Sequence, residues 1–292
     1  MPLDPIARLR RFNRAVTREV GALETSFLGR GRPLGVARVL SMVSETGTDV
    51  ALIRQTLDLD SGLLSRILHS LESQGLIAVL HDGADRRRRI ARLTETGVAE
   101  QDAYETLNND RAARTLGLAA QHSDQLLAAM DLIATVLNRH HVTISEADPE
   151  DPAALACLSA YFDVLVARID GISRSHVPLP DPEADSYRPP HGVFLLAWSD
   201  GIPLGCVSLH RLAPGEGEVK RLWIAPDARG QGLARRLMRA VESHARTLGL
   251  KRLKLDTNAA LTEAIALYRS DGWVEIPSYT GYPATHWFEK RM

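Results

Sequence analysis

The sequence predicts two domains: a mainly α-helical one over residues 1–141, then an α+β one over residues 142–292. Three observations carry this. At roughly 100–200 residues per domain, a chain of 292 residues favours two over one. Helical periodicity fills the first half, and strand-like runs begin only after about residue 142, apart from one short basic hairpin near 77–94. Between His140 and Pro152 the composition turns to Glu146, Asp148, Pro149, Glu150, Asp151 and Pro152, where the periodicity also changes.

Composition narrows the class. An apolar fraction of 45% and a charged fraction of 24% are ordinary for a globular chain and exclude disorder and collagen-like repeats. Two cysteines exclude a disulfide scaffold. No apolar run approaches the ~20 residues that span a bilayer. Near the start, Arg8, Arg10, Arg11, Arg14 and Arg18 lead into no apolar core of the kind a secretory signal needs, so a cytoplasmic protein is expected. The paired His140 and His141 lack ligand-spaced partners and read as a solvated helix end, so no metal is expected. Residues 1–141 carry 18 Arg, no Lys and 17 acids, which leaves them near neutrality. Any DNA contact must therefore come from a local patch. Arginine outnumbers lysine 31 to 4 across both halves, so an isolated Arg says little about phosphate.

In the first half, terminal helices are expected over Pro5–Phe27 and Ser123–Arg139. Pro33 to Glu45 reads as a helix opening at a proline. Asp49 caps a helix over Val50–Leu57, and the turn Asp58-Leu59-Asp60 leads into a third over Ser61–Gln74, stopped by Gly75. Leu64, Ile67, Leu68 and Leu71 of that helix must face a core. Ser61, Ser65, Arg66 and His69 are then free to meet the floor of a major groove. Next come Leu76–Leu80, a turn at Asp82-Gly83, and Asp85 to Thr94 with four consecutive arginines, Arg86 to Arg89. Arginines so placed repel one another unless an anion lies between them. Arg86, Arg87 and Arg88 are the expected phosphate or minor-groove contacts, the alternative being a solvated charge run.

Leu71-Glu72-Ser73-Gln74-Gly75-Leu76-Ile77, Asp85-Arg86-Arg87 and Leu93-Thr94-Glu95-Thr96-Gly97 resemble the MarR family of winged-helix regulators, over about residues 5–140. The resemblance implies a winged helix-turn-helix homodimer on a double-stranded DNA operator, joined through the first and last helices of the domain. Ile6, Leu9, Phe12 and Val16, with Leu126, Leu127, Met130, Ile133, Val136 and Leu137, fit such a seam. They fit an intrachain core equally, and periodicity does not choose. With no cysteine in this half, thiol switching there is excluded.

In the second half, Val142–Ser145 reads as a strand and Ala153–Asp170 as a helix. Strands follow at Val193–Trp198, Leu204–His210 and Glu218–Ile224. Arg229-Gly230-Gln231-Gly232-Leu233-Ala234 then opens a helix reaching Leu248. A strand, a glycine-rich turn and a helix start gather backbone N–H groups and a helix dipole into an anion site. Lys251–Thr257 reads as a further strand, and a helix through Leu261 and Tyr268 ends at Asp271-Gly272-Trp273. Neither a dinucleotide fingerprint nor a P-loop is present.

Arg229 to Ala234 and Ala266-Leu267-Tyr268-Arg269-Ser270-Asp271-Gly272-Trp273, in this order, resemble the two main motifs of the GNAT superfamily of acyl-CoA N-acyltransferases, over about residues 142–292. The resemblance implies a mixed, mostly antiparallel sheet whose central strands splay, and acetyl-CoA as co-substrate in the opening. Leu222, Trp223 and Ile224 would pair with its pantetheine arm. Arg229, Gly230, Gln231, Gly232, Leu233 and Ala234 would hold the pyrophosphate, and Asn258 would steady the arm. A backbone N–H near Trp223 or Ile224 would meet the oxyanion.

Amide formation needs a deprotonated amine and a protonated leaving thiolate. Glu218 is the candidate general base, through a water; a structural pairing with Lys220 or Arg221 is the open alternative. Tyr268 fits the family's general-acid position, with a packed aromatic as the other reading. Cys157 and Cys206 read as small core residues. Tyr161, Arg168, Arg211, His286 and Trp287 are candidates to line the pocket of a small-molecule amine acceptor. The whole chain then reads as a DNA-binding regulator fused to an acetyl-CoA-dependent N-acetyltransferase acting on a small amine or amino acid. A non-enzymatic metabolite sensor and a DNA-targeted lysine acetyltransferase are the alternatives.

Overall fold

The computed structural model describes residues 4–81 and 88–292. They fall into two compact units that divide between Ser123 and Asp124. The change of composition near 141/142 lies one helix downstream of that division.

In the first unit, helix α1 (Pro5–Glu19) begins where the Asp4 carboxylate accepts the N–H of Ala7 and proline takes the first helical position. It stops at Glu19, well short of Phe27, because Gly21 adopts φ +64° just past its end. α1 buries none of its residues; Ile6 is 62% and Leu9 59% exposed. Helix α2 (Leu34–Ser41), strand β1 (Thr48–Asp49) and helices α3 (Val50–Thr56) and α4 (Ser61–Ser73) follow. Asp49 and Asp60 cap α3 and α4, accepting the N–H groups of Ala51 and Leu63, each at 2.8 Å. Leu64, Ile67, Leu68 and Leu71 of α4 are buried, as their spacing requires, and pack with Val39, Leu40, Ile53 and Ala91. Ser61, Ser65, Arg66 and His69 are exposed on the same helix.

Strands β2 (Ile77–His81) and β3 (Arg89–Leu93) pair antiparallel, and β1 joins the far edge of β3. Arg86, Arg87 and the Asp82-Gly83 turn lie outside the described residues. Arg88 is described; its Nε lies 2.6 Å from Asp49 Oδ2. Helix α5 (Glu95–Ala119) starts at Thr94, whose Oγ1 accepts the Gly97 N–H at 3.0 Å and donates to Gly75 O at 2.6 Å. A Cβ on Gly97 would stand 1.9 Å from the Leu76 carbonyl oxygen, so only glycine lets this helix start seat against the end of α4.

Helix α6 (Ser123–Leu137) precedes the sheet of the second unit. Asn138 donates to Asp200, and Arg236 to the carbonyls of Arg139 and Val142, which fasten the end of this helix to the unit. Strand β4 (Thr143–Glu146), helix α7 (Pro152–Arg168) and strands β5 (Gly192–Ser199), β6 (Ile202–Ala213) and β7 (Glu216–Ile224) follow. Helix α8 (Leu233–Thr247), strand β8 (Arg252–Thr257), helix α9 (Thr262–Ser270) and strands β9 (Val274–Glu275) and β10 (His286–Arg291) complete the unit. The seven strands lie in the order β4-β5-β6-β7-β8-β10-β9. All neighbours run antiparallel except β7 and β8, whose parallel pairing needs the crossover that α8 supplies.

Each face of this sheet carries helix. Leu237, Met238, Val241 and Ala245 of α8 pack on Val207, Leu209, Leu253, Leu255 and Phe288. On the other face Cys157, Leu158 and Phe162 of α7 meet Phe194, Leu196 and Cys206. Both cysteines are free thiols sunk in that layer. Among the described residues no helix is long and apolar enough to cross a membrane.

Candidate active site

The two central strands part within the sheet. β7 and β8 share register only at Glu216–Arg252, Gly217–Leu253 and Glu218–Lys254. Beyond those pairs the edge of β7 facing β8 has no strand partner among the described residues, and a groove of about 630 Å³ opens there. Tyr161, Val164 and Arg168 of α7, Leu222 to Ile224 of β7, and Leu261, Ala264 and Leu267 beside and within α9 line it. Its other end is the turn before α8, through Arg229, Gly230, Gly232, Leu233 and Ala234.

That turn is shaped for an anion. Gly230 and Gly232 take φ +73° and +77°, where a Cβ is strained, and a Cβ added to either would meet nothing within 4 Å. Among the described residues no side chain caps α8, so its first N–H groups remain available at the positive end of the helix dipole. Arg229 is fixed by donation from Nε to the Ile224 carbonyl at 3.1 Å. Trp223, also on the groove, has a buried indole N–H with no hydrogen-bond partner among the described residues. A long apolar arm ending in a pyrophosphate, as in coenzyme A, fits these donors and this length of open strand edge.

A bulge sharpens β7 at the same point. Cys206 faces Trp223 and Ser208 faces Lys220, so β7 carries one residue more than β6 between them. Arg221 takes the left-handed conformation, φ +59°. Its guanidinium is held by Asp181 at 2.6 Å and Glu183 at 3.0 Å, and lies 5.4 Å over the Phe162 ring.

The face of β7 and β8 turned toward α7 is polar. Glu218 is 4% exposed. Its Oε2 lies 2.9 Å from His210 Nε2, its Oε1 accepts from Tyr279 at 2.9 Å, and Lys220 Nζ lies 3.8 Å away. Burial opposes its ionisation most strongly, yet the contact with His210, the charge of Lys220 and the Tyr279 bond together outweigh it and hold the carboxyl below its ordinary value. Of the two structural partners left open by the sequence, Lys220 reaches Glu218 at 3.8 Å while pairing more closely with Glu183 at 2.8 Å, and Arg221 turns to Asp181; His210 and Tyr279 supply the shorter contacts. Asp256 lies two residues beyond Lys254 on β8, on the same face. It accepts from Thr280 at 2.6 Å, and burial, then the charge of Glu218, push its carboxyl up despite that bond.

Tyr268 sits on α9 with its ring between Trp273 and Phe288, at centroid distances of 6.0 and 5.6 Å. Burial, then Tyr161 and the charge of Asp256, push its hydroxyl pKa up. None of the described residues hydrogen-bonds that hydroxyl. Packed ring and free hydroxyl coexist in one side chain.

The structure gathers Leu222, Trp223, Ile224, Arg229, Gly230, Gly232, Leu233 and Ala234 around one groove. Gln231 points back, its amide donating to the Asp227 carbonyl at 2.9 Å. Asn258 is already engaged: its Oδ1 closes a local turn by accepting the Ala260 N–H at 2.9 Å, and its amide N–H donates to the carbonyl of Pro283, in the segment before β10. The acceptor candidates separate. Tyr161 and Arg168 line the groove, the latter 2.9 Å from Glu263. Arg211 instead donates to the Leu248 carbonyl at 2.8 Å and belongs to the framework. His286 contacts Thr285, and Trp287 donates to Thr280 at 2.7 Å. Sequence reasoning passed over His210, Asp181, Tyr279 and Asp256. Strand alternation does put Lys254 and Asp256 on one face, which was the available signal for the last. Among the described residues no group of His, Cys, Asp and Glu could hold a metal ion.

The acetyltransferase (GNAT) family pattern matches residues 152–273. An uncharacterized N-acetyltransferase of Schizosaccharomyces pombe is 37% identical over 99 residues, which are 33% of this chain and 61% of that protein. An IAA acetyltransferase of Azospirillum brasilense is 37% identical over 103 residues, 34% of this chain and 67% of its own length. This chain therefore spans about two thirds, or less, of the length of these curated relatives. Among solved structures, the PaiA N-acetyltransferase of Thermoplasma acidophilum in complex with coenzyme A is 16% identical with a TM-score of 0.42, over 52% of this chain and 99% of that one.

Proposed function

The chain belongs to the acetyltransferase (GNAT) family, a family of acyltransferase enzymes whose donor is acetyl-CoA, and from that premise we propose that it acetylates the nitrogen of a small amine or amino acid. The observation that carries this reading is the parting of β7 and β8 just past Glu218 and Lys254, with the Arg229–Ala234 turn closing one end of the opening. Leu222 to Ile224 would hold the pantetheine arm along a free strand edge. Gly230, Gly232 and the first N–H groups of α8 would hold the pyrophosphate. The donor supplies an acetyl thioester. Tyr268 would protonate the departing sulfur. Incubation with acetyl-CoA and a panel of primary amines (tyramine, spermidine and glutamate among them) should release free thiol in step with N-acetylated product. Tight coenzyme A binding without turnover on any amine would leave a sensor in place of an enzyme.

A second reading concerns the first unit. The helix–turn–helix α3–α4, followed by the paired strands β2 and β3, supports a MarR-like winged helix that binds duplex DNA through Ser61, Ser65, Arg66, His69 and Arg88; Arg86 and Arg87, the other candidates, lie outside the described residues. The apolar exposure of Ile6, Leu9 and Val16 on α1 supports a homodimer seam on the first unit; Leu127, Met130, Val136 and Leu137 of α6, exposed likewise, belong to the second unit. Arg66→Ala should weaken binding to a duplex taken from upstream of the protein's own coding sequence. It should also reduce the salt slope, by about one unit if Arg66 contacts one phosphate. Identical mobility shifts for Arg66→Ala and the parent would remove α4 from the interface.

A further inference from the structure

Among the described residues, the polar face beside the groove holds one carboxylate, Asp256, that is in no ion pair. Glu216 pairs with Lys254 at 2.7 Å, Asp181 with Arg221 at 2.6 Å, and Glu183 with Lys220 at 2.8 Å. Glu218 spends both oxygens on His210 and Tyr279. Asp256 has only the Thr280 hydroxyl, on Oδ2, and among the described residues nothing donates to Oδ1. Thr280 is itself fixed by Trp287, whose indole donates to it at 2.7 Å. Asp256 stands where β8 has already left β7, two residues past the last shared pair. It lies within electrostatic reach of Tyr161, which lines the groove, and of Tyr268.

We infer that Asp256 is where the acceptor amine docks as an ammonium ion, and that its free Oδ1 takes the proton that the nitrogen must lose before it attacks the thioester. This rests on the acetyltransferase reading above and names the residue that receives the acceptor. In the step, an N–H bond of the ammonium breaks and its proton passes to Asp256. The freed lone pair forms the C–N bond, and the C–S bond breaks with its electrons leaving on sulfur. Tyr268 gives that sulfur a proton and regains one from the acetylated nitrogen, and Asp256 returns its own to solvent. No oxidant or reductant enters.

Asp256 and Glu218 differ in the groups that surround them. Burial and the adjacent Glu218 charge raise the basicity of Asp256, against the Thr280 bond and the charges of Lys220 and Arg221. Glu218, with two donors and Lys220 beside it, is held less basic. It acts as a fixed negative charge behind the proton acceptor.

The test uses the full chain, acetyl-CoA and the amine of the panel that the parent turns over fastest. Asp256→Asn keeps an acceptor for Thr280 and should lower kcat/KM for the amine by about 50-fold or more, within the range for a general base. Coenzyme A affinity by calorimetry should stay within about twofold. In the parent, kcat/KM should rise with pH as Asp256 loses its proton, and the asparagine variant should lose that limb. Asp256→Glu should recover part of the rate and the limb. Thr280→Val, by removing the bond that lowers this carboxyl, should move the limb to higher pH. Three outcomes would overturn the inference: a kcat/KM within about threefold of the parent with the limb intact, coenzyme A affinity and melting temperature falling together with the rate, or a limb abolished by Glu218→Gln and untouched by Asp256→Asn. Because the parent must already turn over an amine, none of these is confounded with failure of the acetyltransferase reading itself.

Discussion

Tyr268→Phe should lower kcat by about 100-fold or more, inside the ~10²–10⁴ range for a positioned proton donor, while leaving acetyl-CoA affinity and stability nearly unchanged. The separation follows from how the side chain is held. The ring packs against Trp273 and Phe288 and needs no oxygen for that. The hydroxyl has no hydrogen bond among the described residues, so its removal strands no partner and costs little folding free energy. A hydroxyl kept neutral by burial and by the charge of Asp256 still carries its proton where an ordinary tyrosine, at about pH 10, would be losing it. The rate should therefore show no decline from this group up to about pH 10. Steady-state kinetics with thiol detection, beside a thermal melt, would check both halves. A phenylalanine variant within about threefold of the parent in kcat would reduce Tyr268 to a packing residue.

How much of this was legible beforehand depends on distance along the chain. The caps of α3 and α4, the buried stripe Leu64, Ile67, Leu68 and Leu71, and the turn at Gly230 and Gly232 are local matters. Spacing and residue type determine them within one or two helical turns. The same holds for the order of strands and helices in the second half from β4 to α9. The helix expected over Pro5–Phe27 outran the apolar positions assigned to its seam, which end at Val16, and Gly21 takes a conformation that ends α1 at Glu19. The polar network was not legible. Glu218 looked equally close to Lys220 and Arg221 in sequence, but an extra residue in β7 turns Arg221 away toward Asp181, 40 residues upstream. His210 reaches Glu218 because β6 and β7 are antiparallel neighbours in that register, and Tyr279 because the segment before β10 folds back over the sheet. Asn258 is a further case: its position looks open to a ligand in sequence, while its amide N–H is spent on the Pro283 carbonyl, 25 residues downstream.

Asp181→Ala should cost about 3–5 kcal/mol of stability in the second unit, the range for removing one partner of a buried ion pair. The Asp181 side chain is 1% exposed and makes two hydrogen bonds to Arg221, at 2.6 and 3.2 Å. Without it a largely buried guanidinium keeps only the more exposed Glu183. The loss should also reach the groove. Arg221 is a non-glycine residue in the left-handed region, which disfavours it by about 1–2 kcal/mol, and the ion pair is what holds it there. Freed, β7 can relax toward regular pairing with β6, and the edge presented by Leu222 to Ile224 moves with it. Coenzyme A affinity should therefore fall along with stability. All four tryptophans (Trp198, Trp223, Trp273 and Trp287) lie in the second unit, so their fluorescence during urea denaturation reports on it alone. Arg221→Gly supplies the counterpart: it removes the strained side chain and the buried charge together, so the double variant Asp181→Ala/Arg221→Gly should cost less than the two single changes added. Strict additivity, or a loss under about 1 kcal/mol for Asp181→Ala, would mean that the bulge is held by its neighbours in β6 and not by this pair.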